Sequence, residues 1–252
     1  MSENSQPAKS YPLILPAGDQ AVIVEFGNEI SPTINDSVYS LVEMLQSASP
    51  AWLGEMVPTY RSVLIGYDAF EFDFNLVTSE LSVYLADAGG PVSSARSPLV
   101  YELPVAYGGE DGPDLEHVAD HAGLSIEEVI KIHSGVSYRV YMIGFSPGFP
   151  YLGGLDTRIA CPRLVTPRTR VPAGSVGIAE SQTGVYPNAS PGGWQLVGRT
   201  PVRLFDAAAE PPSLLQPGHF VRFVPVTPSE MADIERQVEL GEYVARTTGL
   251  GE

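Results

Sequence analysis

The sequence predicts an α+β protein of two domains, an N-terminal ferredoxin-like α/β sandwich domain followed by a domain made mainly of β-strands. Three observations support this prediction. The first part of the chain reads strand-helix-strand-strand-helix, a polar linker rich in small residues follows, and glycine and proline then break a long segment into short apolar runs. With 252 residues, 44% of them hydrophobic, the chain is long enough for two cores.

The first domain is predicted over residues 11–90, after a disordered tail at residues 1–10. Apolar runs bounded by turn residues indicate strands, and apolar residues three or four positions apart indicate helices. The predicted elements are a strand at Ala21–Phe26, a helix at Asn35–Gln46, strands at Leu53–Pro58 and Ser62–Tyr67, and a helix at Leu76–Leu85. The stretch Asp87–Pro98, DAGGPVSSARSP, is the predicted linker.

The second domain, a β unit preceded by two helices, is predicted over residues 99–226. It opens with a strand at residues 99–106. One helix is predicted to begin at Asp114 and another at Ser125, because both residue types favour the position that caps a helix N-terminus.

The segment from Val136 to Leu204 differs in composition from the rest of the chain. Its 69 residues contain 10 glycines and 8 prolines, which exclude helices longer than a turn or two. The short apolar runs between them indicate a compact all-β unit, either a barrel or a sandwich. A strand at His219–Val226 closes this unit, and residues 227–252 are predicted to form a C-terminal helix, at Pro228–Val244, and a tail.

The overall charge excludes several classes of protein. Lys and Arg number 14 against 30 Asp and Glu, a formal charge of -16, which argues against binding to nucleic acid or to an anionic membrane surface. No run approaches the roughly 18 apolar residues of a membrane-spanning helix, and the polar start MSENSQPAKS is not a secretory signal. The single cysteine, Cys161, permits no intrachain disulfide, so we expect a cytoplasmic protein.

The charge is unevenly distributed along the chain. The stretch Val136–Leu204 holds seven arginines and no lysine against two acids, Asp156 and Glu180, a local charge of +5, while the remainder carries -21. Arginine presents a planar fork of donors that binds a carboxylate or phosphate through two hydrogen bonds. The pattern indicates either recognition of an anion or an internal network of salt bridges, and both interpretations stay open.

Common catalytic and metal-binding motifs are absent from the sequence. There is no P-loop, no GxGxxG after a strand, no GxSxG, no HExxH and no CxxC, so no catalytic residue is assigned. His117 and His121 lie four apart on a predicted helix, but a solvated helix surface explains them better than a metal site. We therefore predict no bound metal in this chain itself.

Polar, aromatic and glycine-rich segments between Gly144 and Thr200 indicate a binding cleft. The loop Gly144–Leu155 offers backbone N–H groups that could cradle an anion, or else forms a tight barrel corner. Arg168 and Arg170 project to one face of an extended chain, where two guanidinium groups repel unless an anion or an acid lies between them. The candidate substrate-binding or anion-binding residues are Arg168, Arg170, Arg199, Gln182, Tyr186, Ser146, Gly148, Tyr151, Trp194 and Gln195.

The three arginines of this set lead to a specific hypothesis. We predict that they bind one small anion, with Gln182 and Tyr186 as neutral donors and the loop Gly144–Gly154 as the floor of the site. The rival interpretation makes each arginine structural, paired with an acid or with a carbonyl of the barrel.

The same segments resemble a known protein family. The motifs are YRVYMIGFSPGFPYLGGLD, TPRTRVPAGSVGIA and QTGVYPNASPGGWQLVGRTP, with PAGDQAVIVEFGNEISPTIN, VPTYRSVLIGYD and YGGEDGPDLEHVADHAGLS upstream. They resemble the KipI family, whose members are called allophanate hydrolase subunit 1 or the B-type subunit of the prokaryotic 5-oxoprolinase. The resemblance is collinear from about Leu13 to Val226.

This resemblance implies a fold and partners. It implies that the second domain is a cyclophilin-like β-barrel related to the carboxyltransferase segment of urea carboxylases. It also implies a hetero-complex with a KipA-type subunit, also called allophanate hydrolase subunit 2, and with a third subunit in the case of 5-oxoprolinase.

Three functions are compatible with the resemblance. The first is a subunit of an ATP-dependent 5-oxoprolinase, inactive alone, which converts the small anion 5-oxoproline to glutamate. The second is a regulatory inhibitor that binds a sensor histidine kinase, and the third is a component of a urea- or allophanate-degrading system. A polar cleft favours the first, because an inhibitor has no need of one.

Cofactors follow from the favoured function. ATP with Mg is expected in the complex, not necessarily bound by this chain, because the sequence has no P-loop. Biotin is not expected to be attached here, since the only lysines, Lys9 and Lys131, lie outside any MKM-type motif.

Overall fold

The computed structural model describes residues 10–87 and 98–250 and divides the chain into two compact units, residues 1–95 and 96–252. The predicted disordered tail, apart from its last residue, and nearly all of the predicted linker lie outside the described residues. Each unit has its own hydrophobic core, and helices and strands occur in both. The mixed α+β class predicted from the sequence is confirmed.

The first unit is a four-stranded antiparallel sheet with two helices. Its elements are β1 (Leu13–Pro16), β2 (Ala21–Glu25), α1 (Pro32–Ala48), β3 (Met56–Pro58), β4 (Ser62–Gly66) and α2 (Phe74–Asp87). The strands lie in the order β1-β2-β4-β3. Helix α1 packs against β3, β4 and α2, so the helices and the sheet form two layers around one core.

Buried and partly exposed residues alternate along the central strands β2 and β4, and the buried residues mark the face of the sheet that packs against the helices. Val22 and Val24 of β2 and Val63 and Ile65 of β4 are fully buried, while the residues between them are partly exposed. Helix α1 contributes apolar residues to the same core at helical spacing. The sequence predicted these strands and both helices to within a few residues, except that only Met56–Pro58 of the predicted strand Leu53–Pro58 is extended.

Strand β1 was not among the predicted elements. Its four residues, LILP, carry no alternation of polar and apolar side chains and end in a proline, so the local pattern does not indicate a strand. The strand forms through pairing with β2, in a register that places Leu13 opposite Glu25 and Pro16 opposite Val22. Its existence depends on a tertiary partner that the local sequence does not reveal.

The second unit is a closed barrel of seven strands with three helices. Its elements are β5 (Leu99–Tyr107), α3 (Leu115–Ala122), α4 (Ile126–Ser134), β6 (Ser137–Ile143), β7 (Pro150–Gly153), β8 (Arg168–Val171), β9 (Ser175–Ala179), β10 (Gln182–Val185), β11 (Ser190–Gly192), β12 (Gln195–Arg199), β13 (Phe220–Pro225), α5 (Pro228–Glu239) and β14 (Arg246–Gly249). The strand order around the barrel is β5-β12-β9-β10-β7-β6-β13, and β13 pairs again with β5. Strands β8 and β11 form a separate two-stranded ribbon.

The barrel closes at β5, whose nine residues are long enough to serve three neighbours. Its last two residues pair with Gly198 and Arg199 of β12, and its first four pair with β14. The predicted C-terminal tail is therefore wrong in part, because it contains a strand. Helix α5 ends at Glu239, before the predicted end at Val244, since Gly241 adopts the left-handed conformation with φ of 73°.

The prediction that Val136–Leu204 consists of short strands is confirmed. Strands β6 to β12 all lie in this segment, and the only helical residues within it form one turn at Thr157–Ile159, all of this segment being described. Helix α3 packs against β12 and α4 against β13, so the two helices cover one part of the barrel.

A fully partnered histidine lies inside this unit. His133 of α4 is completely buried; its Nδ1 lies 2.7 Å from the Tyr107 hydroxyl, and its Nε2 lies 2.9 Å from the Thr183 hydroxyl. Because Thr183 donates its own proton to the Gly177 carbonyl, Nε2 of His133 must carry a proton and Nδ1 must accept one from Tyr107. Burial lowers the pKa of His133 to about 3, so the ring is neutral.

Candidate functional site

A small pocket in the barrel unit is lined by aromatic side chains and a single arginine. Its volume is about 200 Å³. The lining residues are Phe145, Phe149, Tyr151, Arg163, Leu164, Pro167, Tyr186, Pro191, Gly192, Gly193 and Trp194. We call it the aromatic pocket. The turn between β6 and β7, the segment before β8 and the segment around β11 each supply part of its wall.

Phe149 is the centre of a rigid aromatic cluster beneath the pocket. Its ring meets those of Phe145, Tyr151, Tyr186 and Trp194 edge to face, at centroid distances of 5.4, 5.1, 5.4 and 5.6 Å. These distances and angles are those that aromatic rings prefer. All of these rings except Phe145 and Tyr151 are buried, so the pocket floor is preformed and apolar.

The turn between β6 and β7 is internally hydrogen-bonded and strained. The Ser146 N–H donates to the Gly144 carbonyl at 2.7 Å, which forces Phe145 into a φ of 65°. The Phe149 N–H donates to the Ser146 carbonyl and the Gly144 N–H to the Phe149 carbonyl. These three N–H groups are therefore satisfied within the turn, which agrees with the tight corner of the alternative interpretation.

Gly148 of the same turn has a steric reason to be glycine. Its φ is 82°, and a Cβ there would lie 2.7 Å from the Cβ of Phe205. Ser146 and Gly148, both predicted as site residues, thus build the corner without lining the pocket. The corner places Phe145 at the pocket with 64% of its surface exposed.

Arg168 is held by the protein itself. Its Nη2 lies 2.7 Å from Asp114 Oδ1, and its Nη1 donates to the Trp194 carbonyl. The other oxygen of Asp114 accepts a hydrogen bond of 2.6 Å from the Leu196 N–H. The pair is mostly buried and ties the loop before α3 to β8 and β12. Arg168 therefore serves as a structural tie.

Arg199 is locked at a different place. Its Nε lies 2.6 Å from Asp111 and its Nη2 lies 2.9 Å from Glu235 of α5. It lines a larger cavity of about 670 Å³, which we call the junction groove because α5 and the barrel loops both contribute to it. The groove is lined by Ala173, Gly174, Pro187, Asn188, Arg199, Thr200, Pro201, Val202, Arg203, Phe205, Asp206, Ala207, Glu235, Val238 and Glu239.

The single anion site predicted for the three arginines does not form. Arg168 is neutralised by Asp114, and Arg199 is neutralised by Asp111 and Glu235. Arg170 is exposed on β8 and lines neither cavity. The hypothesis was wrong because acids distant in sequence, Asp111 and Asp114, reach these guanidinium groups.

Three of the ten predicted site residues line the aromatic pocket: Tyr151, Tyr186 and Trp194. Gln195 is buried and donates from Nε2 to the Pro162 carbonyl at 2.8 Å, which places it next to the pocket wall. Gln182 begins β10, opposite Ala179 of β9, outside the pocket.

Arg163, Phe145 and Phe149 line the pocket but were not among the predicted site residues. A signal for Arg163 was present, because it lies in the same basic run as Arg168 and Arg170. The two phenylalanines flank Pro147 and Gly148 in the motif FSPGFP, where the sequence pattern favoured backbone features over side chains.

The pKa of the Tyr186 hydroxyl depends on its burial and on nearby positive charge. Burial raises the pKa of its hydroxyl, while a backbone hydrogen bond from Trp194 and the nearby guanidinium groups of Arg163 and Arg168 act in the opposite direction. Arg163 is exposed and makes no hydrogen bond or ion pair with any residue in the described ranges. It is the one charged group among the pocket-lining residues.

Metal-ion clusters and membrane-spanning helices are both absent from the described part of the chain. No three or more His, Cys, Asp or Glu residues there are grouped so that they could hold a metal ion. The rings of His117 and His121 lie 6.4 Å apart on α3. Among residues 10–87 and 98–250, no helix has the length and apolar character needed to cross a membrane.

Comparison with known proteins gives a family for this chain. Residues 12–215 match the family described as "Carboxyltransferase domain, subdomain C and D". The B-type subunit of the Bacillus subtilis 5-oxoprolinase is 43% identical over 220 residues, which cover 83% of this chain and 91% of that protein.

Two solved structures are also similar. A conserved uncharacterized protein from Pyrococcus horikoshii is 50% identical, with a TM-score of 0.52, and the match covers 87% of this chain and 100% of that one. The urea carboxylase of Kluyveromyces lactis is 24% identical with a TM-score of 0.80, and the match covers 96% of this chain but only 24% of that chain. The second likeness concerns the fold alone.

Proposed function

The chain belongs to the family of carboxyltransferase domains, subdomains C and D, and we propose that it is the B-type subunit of a 5-oxoprolinase. The main support is its 43% identity to a protein of that name over nearly the whole of both chains. The urea carboxylase likeness is weaker in sequence and extends over a fourth of that protein, so the urea reaction is the less favoured alternative.

The proposed reaction opens the lactam ring of 5-oxoproline to give glutamate. A lactam carbonyl is a poor electrophile, and transfer of the γ-phosphoryl group of ATP to its oxygen makes the ring carbon open to attack by water. The ring C–N bond breaks and its nitrogen takes up a proton; with two waters consumed in all, the products are glutamate, ADP and phosphate. We propose that ATP and its Mg bind outside the aromatic pocket, because its volume of about 200 Å³ is below the roughly 300–1,000 Å³ of sites for larger ligands.

The aromatic pocket is the proposed site for the lactam. A five-membered ring is small enough for a cavity of about 200 Å³, and the buried faces and edges of Trp194 and Tyr186 offer apolar contact to it. The preformed floor around Phe149 costs little ordering on binding. The pocket is the observation that carries the assignment of the site.

We propose that the chain is inactive alone and works with a KipA-type subunit and a third subunit in the cytoplasm. The name of the Bacillus subtilis relative, a subunit, supports an assembly of several chains. In the urea carboxylase the matching segment is part of a much longer polypeptide, so this fold operates there alongside other domains. A single cysteine, buried as a free thiol, agrees with a reducing compartment.

The finer fold labels belong to the same proposal. We propose that the seven-stranded barrel is of the cyclophilin-like type and that the first unit is a variant of the ferredoxin-like sandwich. Supporting the second label, β2, α1, β3, β4 and α2 follow the ferredoxin-like order, and β1 supplies the fourth strand beside β2.

The experiment is an assay of ATP hydrolysis that depends on 5-oxoproline. The chain is co-expressed and purified with its KipA-type partner and the third subunit, and the chain alone serves as control. We expect hydrolysis only with 5-oxoproline and only in the complex. Hydrolysis driven by urea or allophanate, or a complex that binds a sensor histidine kinase without hydrolysing ATP, would contradict the proposal.

A further inference from the structure

We propose that Arg163 is the residue through which the aromatic pocket selects a ligand bearing a carboxylate, and that Gln195 positions it. The inference deepens the function proposed above and rests on it for the identity of the ligand. It concerns a residue that lines the pocket but was not among those predicted from the sequence.

Arg163 differs from Arg168 and Arg199 because it has no acidic partner in the described part of the chain. Arg168 and Arg199 already have carboxylate partners at 2.6 to 2.9 Å, so their charge is spent within the protein. Arg163 has no hydrogen-bond or ion-pair partner in the described part of the chain and is the charged member of the lining. A cation at a pocket that has no other charged group in its lining favours an anionic ligand.

The backbone that carries Arg163 is fixed on both sides. The Leu164 N–H donates to the Gly193 carbonyl at 2.7 Å, and the Pro162 carbonyl accepts from Gln195 Nε2 at 2.8 Å. One residue earlier, the Cys161 carbonyl accepts from the Glu180 N–H at 2.7 Å. A held backbone with an unpartnered guanidinium is the arrangement expected of a residue that recognises a ligand.

Gln195 has one evident task in this arrangement. The residue is only 3% exposed, its Nε2 makes the bond to Pro162, and its Oε1 has no hydrogen-bond partner among the described residues. Burial of the unpartnered Oε1 costs free energy, and the hydrogen bond from Nε2 to Pro162 offsets part of that cost. Gln195 is therefore a positioning residue, which acts through the segment that carries Arg163.

The shape of 5-oxoproline fits a site in which Arg163 binds the carboxylate and the aromatic residues contact the ring. In 5-oxoproline the carboxylate and the lactam carbonyl lie on the two ring carbons that flank the nitrogen. Binding of the carboxylate by the guanidinium fork of Arg163 leaves the ring against Trp194 and Tyr186 and directs the carbonyl away from the anchor. Pyrrolidin-2-one, which has the same ring without the carboxylate, lacks the group that Arg163 recognises.

The test measures KM for 5-oxoproline in the assembled complex. We expect Arg163→Gln to raise KM roughly 10- to 100-fold, and Arg163→Lys to raise it less, because lysine keeps the charge and loses the fork. Inhibition by pyrrolidin-2-one should be the same in the wild type and in Arg163→Gln. Arg158→Gln is the matched control, since Arg158 is exposed and lines neither cavity; it should leave KM unchanged.

A double-mutant cycle tests the role of Gln195. We expect Gln195→Leu to raise KM in the wild-type background and to have no further effect on KM in the Arg163→Gln background. If the increase persists there in full, Gln195 acts independently of Arg163 and the positioning role is wrong. If Arg163→Gln keeps the wild-type KM in an active complex, the assignment of Arg163 is wrong. A wild-type complex with no 5-oxoproline-dependent hydrolysis would instead overturn the proposed function.

Discussion

The aromatic pocket and the junction groove are both lined by arginines from one basic segment, but they differ in whether the arginine has an acidic partner. In the groove, Arg199 is neutralised by Asp111 and Glu235. In the pocket, Arg163 is a lining residue together with several aromatic residues and has no carboxylate partner among the described residues. Arg199 in the larger cavity is therefore compensated by acids of the protein, and Arg163 in the smaller cavity is not.

The difference shows that local net charge is a poor guide to function when considered alone. A charge of +5 over residues 136–204 suggested one strong anion site. The structure pairs Arg168 and Arg199 with carboxylates, leaves Arg170 exposed outside both cavities, and places Arg163 in the lining of the aromatic pocket. Each arginine must be assigned by its partners, and each assignment predicts a different response to mutation.

The largest effect on stability is expected at Arg168. Arg168→Met leaves the mostly buried Asp114 without its partner, so we expect the free energy of unfolding of the barrel unit to fall by about 2–3 kcal/mol. Denaturation followed by the fluorescence of Trp194 in a Trp52→Phe background measures this. Arg158→Met, which breaks an exposed pair with Asp156, is the control and should produce no measurable change. Equal losses in both variants would contradict the structural role of Arg168.

His133 is a buried titratable group, and both of its ring nitrogens have hydrogen-bond partners within the protein. The folded-state pKa of His133 is about 3, below its ordinary value of 6.5, so between these values the unfolded chain binds a proton that the folded chain does not. Stability from this group is present above pH 6.5 and is lost as pH falls. We expect it to account for about 2 kcal/mol between pH 7 and pH 5.

His133→Gln isolates that contribution, because other titrating groups are common to both proteins. The difference in free energy of unfolding between wild type and variant should shrink as the pH falls from 7 to 5, as measured by chemical denaturation at each pH. A difference that stays constant across this range would show that His133 does not titrate as its burial requires.

A smaller effect is expected at Arg199. Its pairs are partly exposed, so Arg199→Gln should lower the free energy of unfolding by about 1 kcal/mol. Since the groove is internally compensated, KM for 5-oxoproline per folded complex should change less than twofold. An increase in KM comparable to that of Arg163→Gln would show that the groove also binds substrate, and the contrast between the two cavities would fail.

The smallest effect is expected at the strained corner. Phe145→Gly removes a side chain from a residue with φ of 65°, and we expect it to stabilise the barrel unit by about 0.5–1 kcal/mol relative to Phe145→Ala, which keeps the Cβ. Both variants remove the ring from the pocket, so both should raise KM for 5-oxoproline a few-fold. Thermal unfolding and steady-state kinetics distinguish the two effects. Equal stability of the two variants would argue against strain at Phe145.

Much of the fold could be predicted from the sequence, because its signals are local. Helical spacing in α1, alternation in β2 and β4, and the glycines and prolines after Val136 each reflect a preference of the chain itself. Strands β1 and β14 could not be predicted, since each depends on the edge of a partner strand that the local pattern does not reveal. Closure of the barrel at β5 is non-local in the same way.

The candidate site was predictable only in part for a related reason. Tyr151, Tyr186 and Trp194 were found because aromatic residues cluster in the glycine-rich motifs. The structural roles of Arg168 and Arg199 depend on Asp114 and Asp111, which precede the basic segment and reach it only in the folded barrel. The sequence pattern left binding and structural roles open for the arginines, and the distances assign a structural role to Arg168 and Arg199.

The most direct test of the aromatic pocket as the ligand site is a crystal structure of the assembled complex with 5-oxoproline bound. We expect density for the lactam ring against Trp194 and Tyr186, with its carboxylate within hydrogen-bonding distance of the Arg163 guanidinium. Density for the ligand in the junction groove, or on another subunit with the aromatic pocket unchanged, would contradict this assignment.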